Sequence, residues 1–307
     1  MTLYSNTMEL IGNTPLVEIN AYHLPRGIRL FAKLEFMNPG GSVKDRVGRA
    51  LVQEALASGK LKRGGTLVEA TAGNAGIGLA MAAIHEGIRV VFAVPEKFSI
   101  EKQILMKALG AEIVHTPTAL GMRGAIDKAR ELEQQIPDAY CPGQFSNPAN
   151  PQAYYETMGP EIWTDLDGKV DVFVAGAGSG GTFMGTSRYL KEQNPQLKTV
   201  IVEPEGSILN GGPSGSHKTE GIGMEMIPDF IDKSYFNAIH TISDEDAFNR
   251  VSELARLEGL LIGSSAGSAL HAALLEAEQA PDGAHIVTIF PDSSERYLSK
   301  HIYEGGI

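Results

Sequence analysis

Four short segments carry side chains whose type and spacing can do chemistry. The first reads Asn38, Pro39, Gly40, Gly41, Ser42, Val43, Lys44, Asp45, Arg46 and opens a helical pattern. A lysine at a glycine-lined helix start sits beside the positive end of the helix dipole. That position disfavours the protonated amine, as imine chemistry requires. Taken alone, a solvated lysine in a helix cap is the commoner reading. The second segment is Glu69, Ala70, Thr71, Ala72, Gly73, Asn74, Ala75, Gly76, between a strand pattern and a helix pattern. Backbone N–H groups at such a turn hold carboxylates, and Thr71 and Asn74 add a hydroxyl and an amide. A plain turn capped by Asn74 fits equally well.

The third segment is Gly176, Ala177, Gly178, Ser179, Gly180, Gly181, Thr182, after a strand pattern and before a helix. Consecutive amides with almost no side chains make a phosphate cup, and packing alone rarely demands so many glycines. The fourth, Ile262, Gly263, Ser264, Ser265, Ala266, Gly267, Ser268, opens the last long helix. Its serines fit ordinary N-caps, and also a hydroxyl offered to a ring nitrogen.

Rival chemistries are weaker. Gly176, Gly178 and Gly181 spell a dinucleotide fingerprint, with Glu203 where a ribose-binding acid would sit. That reading has no use for the lysine segment. No two of the eight histidines are four residues apart, so no metal site is expected. His240 and Asp244 have that spacing but straddle a helix start, where a cap contact is the simpler reading. Cys141 reads as structural and Trp163 as core.

The elements that must position these segments alternate. Strand patterns fall at 29–34, 66–69, 89–94, 112–115, 170–175, 199–203 and 285–290. Helical patterns fall at 47–58, 76–86, 100–109, 124–135, 153–163, 182–193, 244–258 and 267–280. Such alternation predicts an α/β fold of mainly parallel sheets with helices on both faces. A Pro-rich break at 142–151 marks a domain junction, and 206–223 reads as a long surface loop. The 307 residues are enough for two domains. Lys and Arg total 26 against 37 Asp and Glu, a net charge of −11, which disfavours nucleic-acid binding. One cysteine excludes an intramolecular disulfide and fits a reducing compartment. No secretory pattern opens the chain, and the most apolar run, 77–84, is far shorter than the ~20 residues of a membrane span. A soluble cytoplasmic protein, without membrane contact, is expected.

Lysine, amide, phosphate cup and serine together are what one cofactor needs, pyridoxal phosphate. The chain resembles the β-family of pyridoxal-phosphate enzymes (fold type II), the cysteine synthase and cystathionine β-synthase group. The likeness is nearest to the bacterial cystathionine β-synthases that use O-acetylserine. It runs through Ile11, Gly12, Asn13, Thr14, Pro15, Leu16; through 41–46, 71–76, 144–148 and 178–182; through Ser265, Ala266, Gly267; and to 294–299.

The resemblance implies two three-layer α/β domains with mainly parallel twisted sheets. One is a smaller mobile domain at 40–145. The other, 1–39 with 146–307, is larger and binds the cofactor phosphate. It implies that Lys44 forms the imine and moves the α-proton and that Asn74 meets the ring hydroxyl. Gly178, Ser179, Gly180, Gly181 and Thr182 would hold the phosphate, and Ser265 would face the pyridine nitrogen. Thr71, Ala72, Gly73, Ala75 and Gln144 would lie at the donor carboxylate, with Glu220 and Gly221 at the acceptor. The implied reaction is β-replacement on O-acetylserine or serine by a thiol, in a homodimer.

Glu220 stands before Gly221, Ile222 and Gly223, where cysteine synthases typically carry glutamine and cystathionine β-synthases glutamate. Homocysteine is therefore the expected thiol, with sulfide the alternative. An oxidoreductase and a non-catalytic paralogue binding a partner's peptide tail are remoter alternatives. Neither haem nor a C-terminal regulatory module is expected. Ala75 departs from the family's usual threonine.

Overall fold

The structure is a computed structural model and describes residues 3–71, 73–96 and 98–303. Along them run β1 (Leu16–Glu18), β2 (Arg29–Leu34), α1 (Lys44–Ala57), β3 (Thr66–Ala70), α2 (Asn74–Ile84), β4 (Arg89–Pro95), α3 (Ile100–Ala108), β5 (Glu112–Thr116), α4 (Gly121–Gln135) and β6 (Ala139–Tyr140). There follow α5 (Ala149–Glu156), α6 (Met158–Asp165), β7 (Val172–Gly176), α7 (Gly181–Gln193), β8 (Lys198–Pro204), β9 (Ala238–Ile242), α8 (Asp244–Glu258), α9 (Ser264–Ala277) and β10 (His285–Phe290).

The chain divides into two compact units, Met1–Ile11 with Asn38–Asn150, and Gly12–Met37 with Pro151–Ile307. The first holds a parallel sheet in the order β5-β4-β3-β6. The second holds the order β1-β2-β10-β7-β8-β9, parallel except where β1 meets β2. Residues 3–11, expected in the larger unit, pack with the smaller one. There Arg49 of α1 donates from Nη1 to the carbonyls of Met8 and Ile11 (3.3 and 3.2 Å).

Inner strands buried on both faces explain why apolar residues dominate them without alternating. In the first unit Val68, Ala70, Val91 and Ala93 pack on Ala125 and Ala129 of α4. In the second, Leu30, Val174, Val200 and Ile286 share one core with Val251 of α8 and Leu270 of α9. The structure adds β1, β6 and β9 to the strands read from sequence. β1 and β6 are short, and β9 is a partly exposed edge, so none carries a long apolar run.

The single helix expected at 153–163 is two, α5 and α6. Thr157 interrupts it, with φ −123° and its hydroxyl donating back to Ala153 O (2.6 Å). Trp163 is half buried rather than core. His240 makes no cap contact with Asp244; its Nε2 lies 2.8 Å from Glu276 Oε1, and Ser243 caps α8 instead. The segment 206–223 is anchored rather than loose. Glu203 accepts the N–H groups of Leu209 and Asn210 (2.9 and 3.0 Å), and Asp244 those of Lys218 and Thr219 (2.6 and 2.7 Å). Leu209, Thr219 and Ile222 are buried as a result.

Candidate active site

Lys44 is the first residue of α1. The turn before it is shaped by the buried Asp45, whose Oδ2 accepts Gly40 N–H (2.5 Å), and by Ser42, whose Oγ accepts Lys44 N–H (3.2 Å). Asn74 likewise opens α2. The two helices meet at glycines. A Cβ on Gly48 would lie 2.3 Å from the carbonyl carbon of Gly78, and one on Gly78 would lie 2.4 Å from Lys44 O. Each glycine stands about one helical turn after its helix start, so this backbone contact sets Lys44 and Asn74 at neighbouring ends. Gly78→Ala must push α1 off α2. The expected cost is about 1–3 kcal/mol in denaturant unfolding, and turnover of the folded variant should fall about tenfold as Lys44 shifts. An unchanged unfolding midpoint would show that the contact has slack.

The loop between β3 and α2 closes on Thr71, whose Oγ1 accepts the N–H groups of Gly73 and Gly76 (3.4 and 3.1 Å). Gly73 is the N-cap of α2 and offers no side-chain cap, and Ala75 is the buried second residue of that helix. Ala72 lies outside the described residues. β6 pairs parallel with β3, so the chain leaving it passes beside this loop. Gln144, buried there, donates from Nε2 to Ala70 O (3.2 Å), and its own carbonyl accepts Asn150 Nδ2 (2.8 Å). Thr71, Gly73, Asn74, Ala75 and Gln144 thus gather at the carboxyl end of β3.

One more residue gathers with them. Glu69 is 2% exposed, and its Oε2 accepts the N–H groups of Gly143 and Gln144 (2.8 and 3.2 Å) while Oε1 accepts its neighbour Ala70 (3.0 Å). Burial pushes its carboxyl up to about 7; the three backbone donors oppose that shift, and Glu133 adds to it. The sequence alone places Glu69 in this segment without pointing to a role for it. The available signal was an acid at the end of a strand otherwise made for burial.

In the second unit the segment after β7 starts α7. Gly180 is the N-cap at φ +83° and makes no side-chain cap bond to the first-turn amides. A Cβ on Gly178 would lie 2.4 Å from Gly221 O, so glycine is needed for the close approach. Gly223 N–H donates to Ala177 O (2.9 Å). Next along the same segment, Glu220 N–H donates to Ser264 Oγ (3.0 Å). A Cβ on Gly221 would lie 3.7 Å from Ser265 Oγ.

The serines do not cap α9; its N-cap is Gly263, without a side-chain bond. Ser265 is buried at that start. Glu220 Oε1 lies 3.9 Å from Lys300 Nζ. The structure therefore brings Gly178, Ser179, Gly180, Gly181, Thr182, Glu220, Gly221 and Ser265 together in this unit. An uncapped, glycine-lined helix start fits a phosphate group, and a neutral hydroxyl nearby fits a ring nitrogen. Glu203 has both oxygens engaged by its own loop, which leaves the dinucleotide reading without its acid. Among the described residues no three His, Cys, Asp or Glu side chains group to hold a metal, and no helix is long and apolar enough to cross a membrane.

Comparison with known proteins follows the same line. The family described as pyridoxal-phosphate dependent enzyme matches residues 7–292. The chain is 61% identical over 307 residues to the O-acetylserine dependent cystathionine beta-synthase of Bacillus subtilis, covering all of both chains. It is 51% identical over 305 residues to a cysteine synthase of Helicobacter pylori, covering 99% of this chain and all of that one. The crystal structure of the O-acetylserine dependent cystathionine beta-synthase from Helicobacter pylori aligns with a TM-score of 0.96 at 51% identity, covering 99% of this chain and 100% of that one. With a family match across most of its length and full-length relatives at this identity, the chain belongs to the pyridoxal-phosphate-dependent enzymes of fold type II.

Proposed function

We propose that the protein catalyses β-replacement on O-acetylserine or serine with homocysteine as the thiol, yielding cystathionine. The donor loses its α-proton and its β-substituent, the acceptor sulfur bonds the β-carbon, and a proton returns to the α-carbon. Pyridoxal phosphate, when bound, supplies the sink for the α-carbon electrons. Lys44 Nζ carries the covalent attachment and moves the α-proton. Asn74 meets the ring hydroxyl, and the amides of 178–182 take the phosphate. Thr71, Gln144 and the loop amides from Ala72 to Ala75 grip the donor carboxylate. The first-turn amides of α2 keep that grip although Ala75 brings no hydroxyl. The enzyme is read as a cytoplasmic homodimer.

The observation that carries the acceptor is Glu220. Its backbone is tied to Ser264 beside Ser265, and its carboxylate suits the ammonium of an incoming amino-acid thiol. The second reading, a cysteine synthase using sulfide, is favoured by the 51% identity to a protein of that name. Sulfide has no ammonium, so the two readings separate by mutation. Glu220→Gln should lower kcat/KM for homocysteine by about 1.5–3 kcal/mol, roughly 10- to 150-fold. Sulfide addition should change far less. Steady-state rates with both acceptors and O-acetylserine measure this, and an equal loss with both would make Glu220 a structural residue.

A further inference from the structure

An ionisable group at the end of a fully buried strand is costly unless it does something an amide or apolar side chain cannot. The pattern of β3 is buried at every position, and Glu69 is its only charged residue. Three backbone N–H groups converge on its two oxygens. Two of them, Gly143 and Gln144, belong to the turn that carries a proposed donor ligand. The same turn is pinned twice more, by Gln144 Nε2 on Ala70 O and by Asn150 Nδ2 on Gln144 O. A carboxylate accepts at both oxygens and donates nothing. An isosteric glutamine would aim an NH2 group at one of these donor sets.

We propose that Glu69 is a positioning residue: its ionised carboxylate holds the 143–144 turn so that Gln144 is presented to the α-carboxylate of the amino-acid donor, and protonation of Glu69 loosens that grip. The proposal rests on the reading of Gln144 as a carboxylate ligand. The charged and titratable groups facing Glu69 come from α4 and from the turn itself. Glu133 repels it, and Glu133 Oε1 accepts Cys141 N–H (2.8 Å). The Cys141 thiol is pushed up by burial, then by Glu69 and Glu133, while Arg130 acts in the opposite sense. Burial and this second carboxylate raise the Glu69 carboxyl, so its protonation falls within the working range of pH. The sign follows. Above about 7 Glu69 is ionised and holds both amides. As pH falls through about 7 one oxygen gains a proton and the charge-assisted bonds weaken.

The experiment titrates the holoenzyme with L-alanine, which carries the α-carboxylate but no β-leaving group, by absorbance. It is run from about pH 6 to about pH 8.5 on the wild type, Glu69→Gln and Gln144→Ala. Donor KM and kcat are measured alongside. Proton loss from the ligand's amine is common to all three proteins, so differences between their profiles isolate the protein group.

The wild type should bind about tenfold more weakly at the acid end than the shared amine profile requires, the worth of one charge-assisted hydrogen bond. Glu69→Gln should show that weaker binding throughout, without the step near neutrality, raising donor KM while kcat stays within about threefold. Gln144→Ala should also lose the step, which tests the coupling even if Glu69→Gln fails to fold. If Gln144→Ala binds alanine like the wild type, the Gln144 reading fails, and with it the basis of this proposal. If Gln144→Ala weakens binding but Glu69→Gln keeps the wild-type affinity and step, or Gln144→Ala keeps the step, the positioning role of Glu69 is overturned while the Gln144 reading stands.

Discussion

Lys44→Ala should leave no covalently held cofactor and reduce β-replacement by at least about 1,000-fold. On the proposed reading the substitution removes both the amine that forms the covalent link and the group that moves the α-proton, and a positioned general base alone is worth about 100- to 10,000-fold. The fold should survive. Alanine is the best helix former at the start of α1, and backbone atoms of Lys44, Gly48 and Gly78, which the substitution keeps, make the close α1–α2 approach. The informative measurement is the mass of the chain after borohydride reduction. The wild type should carry one pyridoxyl group, mapped to the peptide containing Lys44, and the variant none. Turnover above a trace, or a pyridoxyl group on another lysine, would remove Lys44 from the role.

The position of Lys44 also shows how far the sequence could be read. Helix starts after glycine-rich segments are local features, and the structure has α1, α2, α7 and α9 opening within those four segments. The strands at Arg29–Leu34 and His285–Phe290 were legible to the residue because both are inner strands, mainly apolar and buried at every position after the first. What was not legible depends on chain brought from a distance. Gly48 looks like any helix-interior glycine until Gly78 is seen against it. Glu69 gains meaning only from amides 74 and 75 residues further along the chain. The four-residue spacing of His240 and Asp244 suggests a cap contact between them because such spacing is visible in a sequence. The actual partners of Asp244, Lys218 and Thr219, are 26 and 25 residues away.

Ser265→Asp tests the chemistry most directly after Lys44. A neutral hydroxyl at the pyridine nitrogen leaves that nitrogen unprotonated, which moderates the electron sink and favours loss of the β-substituent over other fates of the α-carbanion. A carboxylate in the same place would hold a proton on the ring. In a dry site a charged partner shifts such an equilibrium by about 2–4 kcal/mol, so donor elimination should slow by roughly 30- to 1,000-fold. The helix itself should tolerate the change. Ser265 lies in the first turn of α9, where a negative side chain is favoured by the dipole, and no existing side-chain cap is lost. Slower elimination from a chain that still folds, with thermal unfolding lowered because the added carboxylate is buried, is therefore the expected pair of results, with Ser265→Ala as the control that removes the hydroxyl without adding charge. The absorbance of the bound cofactor should change in the aspartate form and less in the alanine form. If the aspartate form turns over at the wild-type rate with an unaltered spectrum, Ser265 does not face the ring nitrogen. Its burial beside Gly221 would then be a matter of packing the 219–223 segment onto the start of α9.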